Sequence, residues 1–372
     1  MPNYTVPPHD LGENASPALV LTRPAMRRAN RIYAHHRGAT DRLVAQRSAF
    51  SASGRQNAFF TRAMQECFAY HFLHNPAYRL ISLRQGVHPG DIRQYTDLSI
   101  LPFLEQNSAQ LNDMLPTSSN AKVQFHYLVT NAEKPSLDIP LDAHSLRRLR
   151  RAAANIGRAY RLNSREKINY LFFASSDQGQ STAWSLWEQA QLTQLTKIRN
   201  CLCLDPQSGN SLQILKQLYG EGSAWRICGS LEQLEQLLHL QPPSGIPSQA
   251  AQRSYIFIRT SLAQYRRLPR ATLASSFGLP PSHVRAICTS PLQLLPFYEC
   301  EAGRLHIPIY ARVLVRHPQS KCLQMPGQTG QLQFLCPCLS SCAAFSLLTD
   351  YKGHLETDCP CGRRASVLIV ED

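Results

Sequence analysis

Strand-like segments alternate with helix-like segments between residue 123 and about residue 290, and this alternation limits the fold more than any other feature. VQFHYLVT, IRNCLCLDP and RSYIFIRTS are rich in β-branched and aromatic residues, which is typical of buried strands. Between them lie segments with helical spacing of apolar residues, such as SLEQLEQLLHLQ. This order predicts an α/β fold of parallel sheets with crossover helices.

Changes in composition and in residue pattern divide the chain into three predicted parts. Residues 1–55 are polar and mixed, and we predict an N-terminal extension that is partly disordered. Residues 56–295 would hold the α/β core, which begins with a helix that Asn75-Pro76 ends. Short strands and turns such as HIPIYARVLVR and TGQLQFLCP follow. They predict a β-rich, barrel-like subdomain over residues 296–372.

The composition excludes several classes of protein. The 372 residues are 43% hydrophobic and 17% charged, which fits a large buried core and not a disordered chain. No apolar run approaches the roughly 20 residues of a membrane span. The N-terminus lacks the basic and then apolar order of a secretory signal. We therefore predict a cytoplasmic protein with no membrane span.

The formal net charge of +14 raises the hypothesis of a nucleic-acid binder. The arginines are scattered, however, and the densest group, SLRRLRRAAANIGRAYR, has helical spacing, with Leu146, Leu149 and Ala153 on one face. We interpret the arginines of this helix, Arg148 among them, as a solvated face. Because basic residues are not interleaved with aromatic ones in a cluster, nucleic-acid binding is the weakest of the hypotheses.

Five of the twelve cysteines fall in the last 37 residues, which favours metal binding over a disulfide framework. Cys359 and Cys361, in CPCGRR, would supply two ligands of a tetrahedral structural zinc site. Cys300 and His306 are candidates for the other two ligands. The rival set replaces them with the cysteines of CPCLSSC, which are Cys336, Cys338 and Cys342. A redox pair is a further alternative, although no thioredoxin-like pattern surrounds it.

Three segments, in one order, resemble a known family. They are HNPAYRLISLRQGVHPGDIRQYTDLSILPFL, FYECEAGRLHIPIYARVLVR and GQTGQLQFLCPC…SLLTDYKGHLETDCPCGRR. Together they resemble phenylacetate–CoA ligase-like proteins and, more closely, the acyl-protein synthetase of the bacterial luminescence fatty-acid reductase. The resemblance covers about residues 60 to 365. It implies an adenylate-forming fold that lacks the mobile C-terminal lid domain, because the chain ends shortly after CPCGRR.

The resemblance also implies a chemistry. Family members use ATP and magnesium to activate a carboxylate as an acyl-adenylate, and then pass the acyl group to a thiol or to another protein. The expected partners are therefore a carboxylate substrate and a protein or carrier-thiol acceptor, with a partner enzyme as a further option. An acyl-accepting cysteine near the C-terminus is another interpretation of CPCGRR.

Several residues match the family's phosphate loop, which ends in Lys-Pro. In VTNAEKPS, Lys134 and Ser136 match the end of the loop, and Thr130 and Asn131 could donate hydrogen bonds to a phosphate. Thr130 and Glu133 stand where the family has glycines, which let backbone N–H groups approach a phosphate. A second glycine turn, expected after RSYIFIRT, is also missing.

Other candidate residues lie in the C-terminal third. Phe297 and Glu301 match an aromatic-x-x-x-Glu motif whose glutamate holds magnesium, and Asp350 would bind the ribose hydroxyls. Arg363, or Arg364 beside it, would be the hinge arginine, and Arg363 is the candidate for contact with the nucleotide. Two functions follow: a divergent acyl-activating ligase with Lys134 and Glu301 as catalytic residues, or a non-catalytic pseudoenzyme that serves a biosynthetic pathway as a scaffold or partner subunit.

Overall fold

The computed structural model describes residues 38–51, 53–108, 111, 116–117, 123–131, 134–160, 168–173, 198–204, 223–239, 246, 248–289 and 295–371. For residues 123–131, 134–138, 172, 198–204, 248 and 289 the description is of the backbone. The alternating pattern also predicts a helix over residues 182–196, which lies outside the described residues, as does most of the predicted N-terminal extension.

Three helices open the described part: α1 (Ala39–Val44), α2 (Gly54–His74) and α3 (Pro76–Arg84). The predicted break between the last two is confirmed. Asn75 ends α2, and its side chain then accepts a hydrogen bond from Tyr78 N at 2.8 Å, which caps α3. The apolar positions that predicted α2 are all buried, namely Phe60, Met64, Cys67, Phe68 and Phe72.

A two-stranded antiparallel sheet follows, made of β2 (Val123–Asn131) and β3 (Lys134–Asp142). The sequence analysis did not predict β3, because its residues were assigned to a phosphate loop. Helix α4 (Ala143–Ala159) begins directly after β3, and the Asp142 side chain caps it by accepting from Ser145 N at 2.7 Å.

The α/β core contains a six-stranded sheet in the order β5-β4-β6-β7-β8-β9. Its strands are β4 (Ile168–Phe173), β5 (Ile198–Leu204), β6 (Ala224–Ser230), β7 (Tyr255–Thr260), β8 (Val284–Thr289) and β9 (Pro296–Tyr298). All neighbours are parallel except β9, which pairs antiparallel with β8. Helices α5 (Leu231–His239), α6 (Ser248–Ala251) and α7 (Arg270–Phe277) connect the strands. The predicted parallel sheet with crossover helices is confirmed.

A second six-stranded sheet forms the predicted β-rich region, in the order β10-β14-β13-β12-β11. Its strands are β10 (Leu305–His306), β11 (Arg312–Arg316), β12 (Gly330–Leu335), β13 (Ser346–Glu356) and β14 (Val367–Glu371), and β1 (Leu104–Glu105) pairs with β13. One cluster of buried apolar side chains runs through both large sheets and the helices packed on them. No helix in the ranges described combines the length and hydropathy needed to cross a membrane.

The interpretation of the arginine-rich helix as wholly solvated is wrong for Arg148. Its side chain is 1% exposed, and Nε and Nη2 each donate to a different carboxylate oxygen of Asp41 at 3.0 Å. Arg147, the preceding residue, keeps about half of its side chain exposed. Helical periodicity placed Arg148 near the polar side, but α1 packs over that side and buries it with its partner.

Candidate metal centre and its surroundings

Two turns bring four candidate metal ligands together. The ligand atoms of Cys300, His306, Cys359 and Cys361 all lie within 4.8 Å of one another. Cys300 Sγ is 3.6 Å from Cys359 Sγ, and His306 Nε2 is 3.1 Å from Cys361 Sγ. Cys300 and His306 are buried, whereas the other two cysteines are half-buried. The sequence analysis grouped these same four residues.

Each pair of ligands is held by a tight turn that needs a glycine. Gly303 N donates to Cys300 O at 3.0 Å, and Cys300 N donates to Arg304 O at 2.9 Å. On the other side, Gly362 N donates to Cys359 O at 3.0 Å. Gly303 and Gly362 have φ of +70° and +78°, a region in which a side chain is strained. Both glycines therefore fold the chain back so that neighbouring ligands face one point.

Strand pairing sets the distance between the two turns. His306 lies on β10, which pairs antiparallel with β14 in the register His306 to Val367. Cys359 and Cys361 lie in the connection between β13 and β14. An ion pair between Arg304 and Glu356 also ties the first turn to the end of β13. The pair Cys300 and His306 is thus more than fifty residues from the pair Cys359 and Cys361 in sequence. Adjacent strands hold the two pairs close together.

The pKa shifts of His306 and Cys361 suit a cation, whereas burial raises the pKa of the Cys300 thiol to about 12 and raises that of the Cys359 thiol as well. Burial lowers the pKa of His306 to about 4, so the imidazole is neutral at pH 7 and has a lone pair to give. Burial raises the pKa of the Cys361 thiol, but hydrogen bonds from the backbone and side chain of Arg363 outweigh burial and lower it overall. A thiolate is the form of cysteine that binds metal.

Arg363, which the sequence analysis assigned to a nucleotide, is held beside the metal ligands. Its guanidinium lies 4.5 Å from the centroid of the Tyr160 ring, and Nη1 donates to Glu301 Oε2 at 2.8 Å. Arg285 Nη1 is 3.8 Å from the same Glu301 oxygen. Burial raises the pKa of Glu301, and these arginines lower it further than burial raises it. Glu301 is therefore a charged carboxylate with two cationic partners.

Two aromatic side chains that the sequence analysis missed cover the cluster. Phe50 meets the His306 ring edge-on at a centroid distance of 5.9 Å and the Tyr160 ring at 5.4 Å. Phe50 lies 250 residues or more before the ligands in sequence, so no local pattern could have linked them. The segment that carries it is fixed nearby, since Ile309 N donates to Ala49 O at 2.8 Å.

The three cysteines of the rival ligand set lie away from the cluster of Cys300, His306, Cys359 and Cys361. Cys336, Cys338 and Cys342 are fully buried in the connection from β12 to β13, and Cys67 approaches Leu339 O from α2. Within the residues that the structure describes, the group of Cys300, His306, Cys359 and Cys361 is the one set of three or more metal-binding side chains that share a point. The structure thus favours the first ligand set over the rival.

The proposed nucleotide-binding residues fall on three different elements. The segment from Thr130 to Ser136 is the turn region of the β2–β3 hairpin, where Asn131 pairs with Lys134, and residues 132–133 lie outside the described residues. Asp350 is exposed on β13 and accepts a hydrogen bond from Asn107. Glu301 lies in the turn after β9.

A buried carboxylate close to Glu301 was also missed. Glu299 is 2% exposed and interacts with Arg270 at 2.9 Å, and it accepts from Ala286 N at 2.6 Å. Its partners lie on α7 and β8, so it stabilises the packing of the α/β core. The strand alternation of PFYE was a usable signal, because it places Phe297 and Glu299 on one side of the strand.

The likeness to solved structures identifies the fold. No family model matches the chain, and no curated protein matches it. Among solved structures, 2-hydroxyisobutyryl-CoA ligase in an open conformation, with 2-HIB-AMP and CoA, matches with a TM-score of 0.67. The match has 14% sequence identity and covers 87% of this chain and 75% of that chain. The same ligase in its postadenylation state with 2-HIB-AMP gives a TM-score of 0.66, covering 87% and 68%.

The chain therefore has the fold of the adenylate-forming ligases. This confirms the predicted fold class, in which an α/β core is followed by a β-rich region. At this level of identity the likeness concerns the fold, and the function of the chain is argued separately below.

Proposed function

We propose that the chain is a divergent acyl-activating ligase. It joins a carboxylate to the α-phosphate of ATP with release of pyrophosphate, and then passes the acyl group from the adenylate to a protein or carrier thiol. The observation that carries the proposal is the fold shared, over 87% of this chain, with a CoA ligase seen with 2-HIB-AMP and CoA. Fold likeness is an argument from analogy, so the assigned residues must be tested individually.

The proposed roles follow from charge. Lys134 neutralises charge that develops on the phosphates during attack, and Thr130, Asn131 and Ser136 donate hydrogen bonds to phosphate oxygens. Asp350 accepts hydrogen bonds from the ribose hydroxyls, a role that its exposure on β13 supports.

The proposed magnesium ligand is Glu301, and the ion would neutralise the pyrophosphate leaving group. Two arginines keep the Glu301 carboxylate charged, as a metal ligand must be. The same arginines compete with the ion for its oxygens, so in this proposal Glu301 must release Arg363 when magnesium and ATP bind. Arg363 would then interact with the nucleotide.

Calorimetry with magnesium and ATP tests this proposal without a guess at the carboxylate. We expect micromolar to millimolar affinity, weakened about tenfold or more in Lys134→Ala, because a charge-assisted phosphate contact is lost. Lys321→Ala, which removes the same charge from the turn after β11, is the matched control and should bind normally. A carboxylate screen by pyrophosphate exchange follows. No binding at millimolar nucleotide would refute the ligase assignment.

A second candidate function is a non-catalytic pseudoenzyme, a partner subunit that has kept the fold for binding another protein. The specific observation in its favour is the pairing of Glu301 with Arg363 and Arg285, which satisfies the proposed magnesium ligand without a metal. Glu133, in place of a phosphate-loop glycine, points in the same direction. Pyrophosphate exchange with any carboxylate, lost in Glu301→Ala, would exclude it.

The proposal includes one structural zinc ion, bound by Cys300, His306, Cys359 and Cys361. Three sulfurs and one imidazole are a donor set that zinc prefers. Tetrahedral zinc at usual bond lengths separates two sulfurs by about 3.8 Å, close to the 3.6 Å between Cys300 and Cys359. Three thiolate ligands suit a reducing compartment, which supports the predicted cytoplasmic location.

Elemental analysis of the purified protein tests the zinc site. We expect about one zinc per chain, and loss of most of it in Cys361→Ser, because a tetrahedral site with three remaining ligands binds far more weakly. Cys322→Ser removes an exposed thiol outside the cluster and is the control. Full zinc content in the Cys361 variant would contradict this ligand set.

A further inference from the structure

An open cleft of about 740 Å³ lies beside the candidate zinc site. It is lined by the second ligand turn and by charged side chains around it, among them Arg304, Glu356, Asp358, Cys359, Arg363 and Arg364. A purely structural metal site does not need such an opening, because its ligands are normally inaccessible to reagents. The cleft therefore raises the question of what reaches the Cys359 sulfur.

Cys359 and Cys300 differ in their access to solvent. Cys359 is half-buried and lines the cleft, whereas Cys300 is 2% exposed and does not line it. Their Sγ atoms are 3.6 Å apart. A reagent that enters the cleft thus meets Cys359 first, and Cys300 is placed behind it, within reach of the Cys359 sulfur.

The cleft offers an anionic reagent one cationic partner. Three arginines line it, against two carboxylates, Glu356 and Asp358. Glu356 is paired with Arg304, and Arg363 is paired with Glu301 outside the cleft. Arg364 is exposed and lines the same cleft as Cys359, as does the exposed Asp358 that precedes Cys359 in the chain. An anion that enters the cleft therefore meets Arg364 as its cationic partner.

We propose that Cys359 is a site of thiol–disulfide exchange with anionic low-molecular-weight disulfides, such as glutathione disulfide, and that Cys300 completes the reaction by forming a disulfide with Cys359. The inference rests on the proposed zinc ligands and adds a reaction that they undergo. Its consequence is release of the zinc ion and loosening of the link between the two ligand turns.

The exchange proceeds in two balanced steps. The Cys359 thiolate attacks one sulfur of glutathione disulfide, which forms a mixed disulfide and releases one glutathione thiolate. The Cys300 thiolate then attacks Cys359 Sγ, which forms the Cys300–Cys359 disulfide and releases the second glutathione thiolate. The two cysteine thiolates lose two electrons, and the glutathione disulfide gains them. His306 and Cys361 remain as ligands, too few to hold the zinc.

Cys361 is the competing partner for Cys359, and chain geometry disfavours it. A bond between Cys359 and Cys361 would close a small ring that contains Pro360, whose φ is fixed. Cys300 lies on a different turn and faces Cys359 across the cluster. The product is therefore the long-range disulfide.

Peptide mass spectrometry after acid quenching tests the order of events. The full chain carries Cys322→Ser, because Cys322 is exposed and would compete for the reagent. We expect glutathione on Cys359 first, followed by the Cys300–Cys359 disulfide, with one equivalent of zinc released to a chromophoric chelator over the same time course. First modification at another cysteine, a Cys359–Cys361 product, or no reaction would overturn the proposal.

Two variants sharpen the test. Cys300→Ala should stop at the mixed disulfide on Cys359, and if it does not fold, the quenched time course of the parent protein still decides.

Arg364→Glu should lower the rate with glutathione disulfide, relative to neutral 2-hydroxyethyl disulfide, by about tenfold, because the reagent is an anion. Arg84→Glu, the same charge change at the end of α3, should leave that ratio unchanged. Equal ratios in both variants would refute the charge selectivity.

The outcome separates this inference from the zinc proposal. Disulfide mapping is repeated on protein stripped of metal, in which both thiols remain. If the isolated protein holds no zinc but still forms the Cys300–Cys359 disulfide through Cys359, the zinc proposal fails and the exchange site stands. If zinc is bound and glutathione disulfide leaves both cysteines unmodified, the exchange site fails and the zinc site stands.

Discussion

Arg363 Nη1 donates to Glu301 Oε2 at 2.8 Å while the guanidinium lies over the Tyr160 ring, 4.5 Å from its centroid. Two residues that the sequence assigned separately to a nucleotide thus bind each other, beside the candidate zinc ligands. The contact links the C-terminal ligand turn to the turn after β9 and to the end of α4. Replacing Arg363 therefore measures how much these contacts contribute to the free energy of unfolding.

Replacing Arg363 with methionine should lower the free energy of unfolding by about 1–2 kcal/mol, because a stacked guanidinium and its hydrogen bond are lost while the aliphatic stem remains. The carboxylate partner is 44% exposed, so the ion pair itself contributes little to that loss. Urea unfolding measures the change. Arg364→Met is the matched control, since Arg364 is exposed, and should change the free energy by less than about 0.5 kcal/mol. Equal effects of the two substitutions would contradict the assigned contacts.

Phe50→Ala should speed the loss of zinc to a chelator by about tenfold, because residues that orient a ligand alter metal affinity by about that factor or more. The ring edge of Phe50 covers the His306 imidazole and excludes water from it. Phe59→Ala, which truncates a half-buried phenylalanine of α2, serves as control. A dissociation rate that responds to both substitutions alike would indicate general loosening of the fold.

Arg148→Met should destabilise the protein by about 3 kcal/mol, because it leaves the Asp41 carboxylate partly buried without its strongest partner. Burial raises the pKa of Asp41, but Arg148 more than compensates and lowers it, so the charged pair stabilises the fold at neutral pH. Arg147→Met is the control within the same helix. Arg147 lies 3.8 Å from Asp41 and is about half exposed, so its loss should cost less than about 1 kcal/mol.

Acid should destabilise the fold through His71. Burial lowers its pKa to about 4, whereas an unfolded chain binds the proton near pH 6.5. The unfolded state therefore holds more protons between these two values, and stability that is present above about pH 6.5 is lost as the pH falls towards 4. The loss from this one group is at most about 3 kcal/mol.

Unfolding free energies measured from pH 7 to pH 4 test the His71 prediction. His71→Gln keeps hydrogen-bonding atoms for Thr117 and the Leu339 carbonyl but cannot titrate, so the pH dependence should become shallower. His239→Gln replaces an exposed histidine at the end of α5 and should leave the slope as in the parent protein. An unchanged slope in the His71 variant would show that another group carries the acid sensitivity.

The sequence by itself determined the elements and much of their order. Residue periodicity predicted α2 and its break at Asn75-Pro76, because a proline without an N–H ends one helix and starts the next. The alternation of strands and helices predicted the parallel sheet, because connections of that length must cross over the sheet. The sequence grouped Cys359 and Cys361 with Cys300 and His306 as one of two candidate ligand sets, and the structure places these four within 4.8 Å.

Only the tertiary structure decided which side chains those elements bring together. Arg148 lies on a helix face that the sequence marks as polar, and it is buried because α1 packs over it. Glu301 and Arg363 matched nucleotide motifs one at a time, but their pairing depends on strand register between β10 and β14. Phe50 reaches His306 across more than 250 residues. Local patterns depend on neighbouring residues in the chain, whereas these contacts depend on long-range packing, which no periodicity encodes.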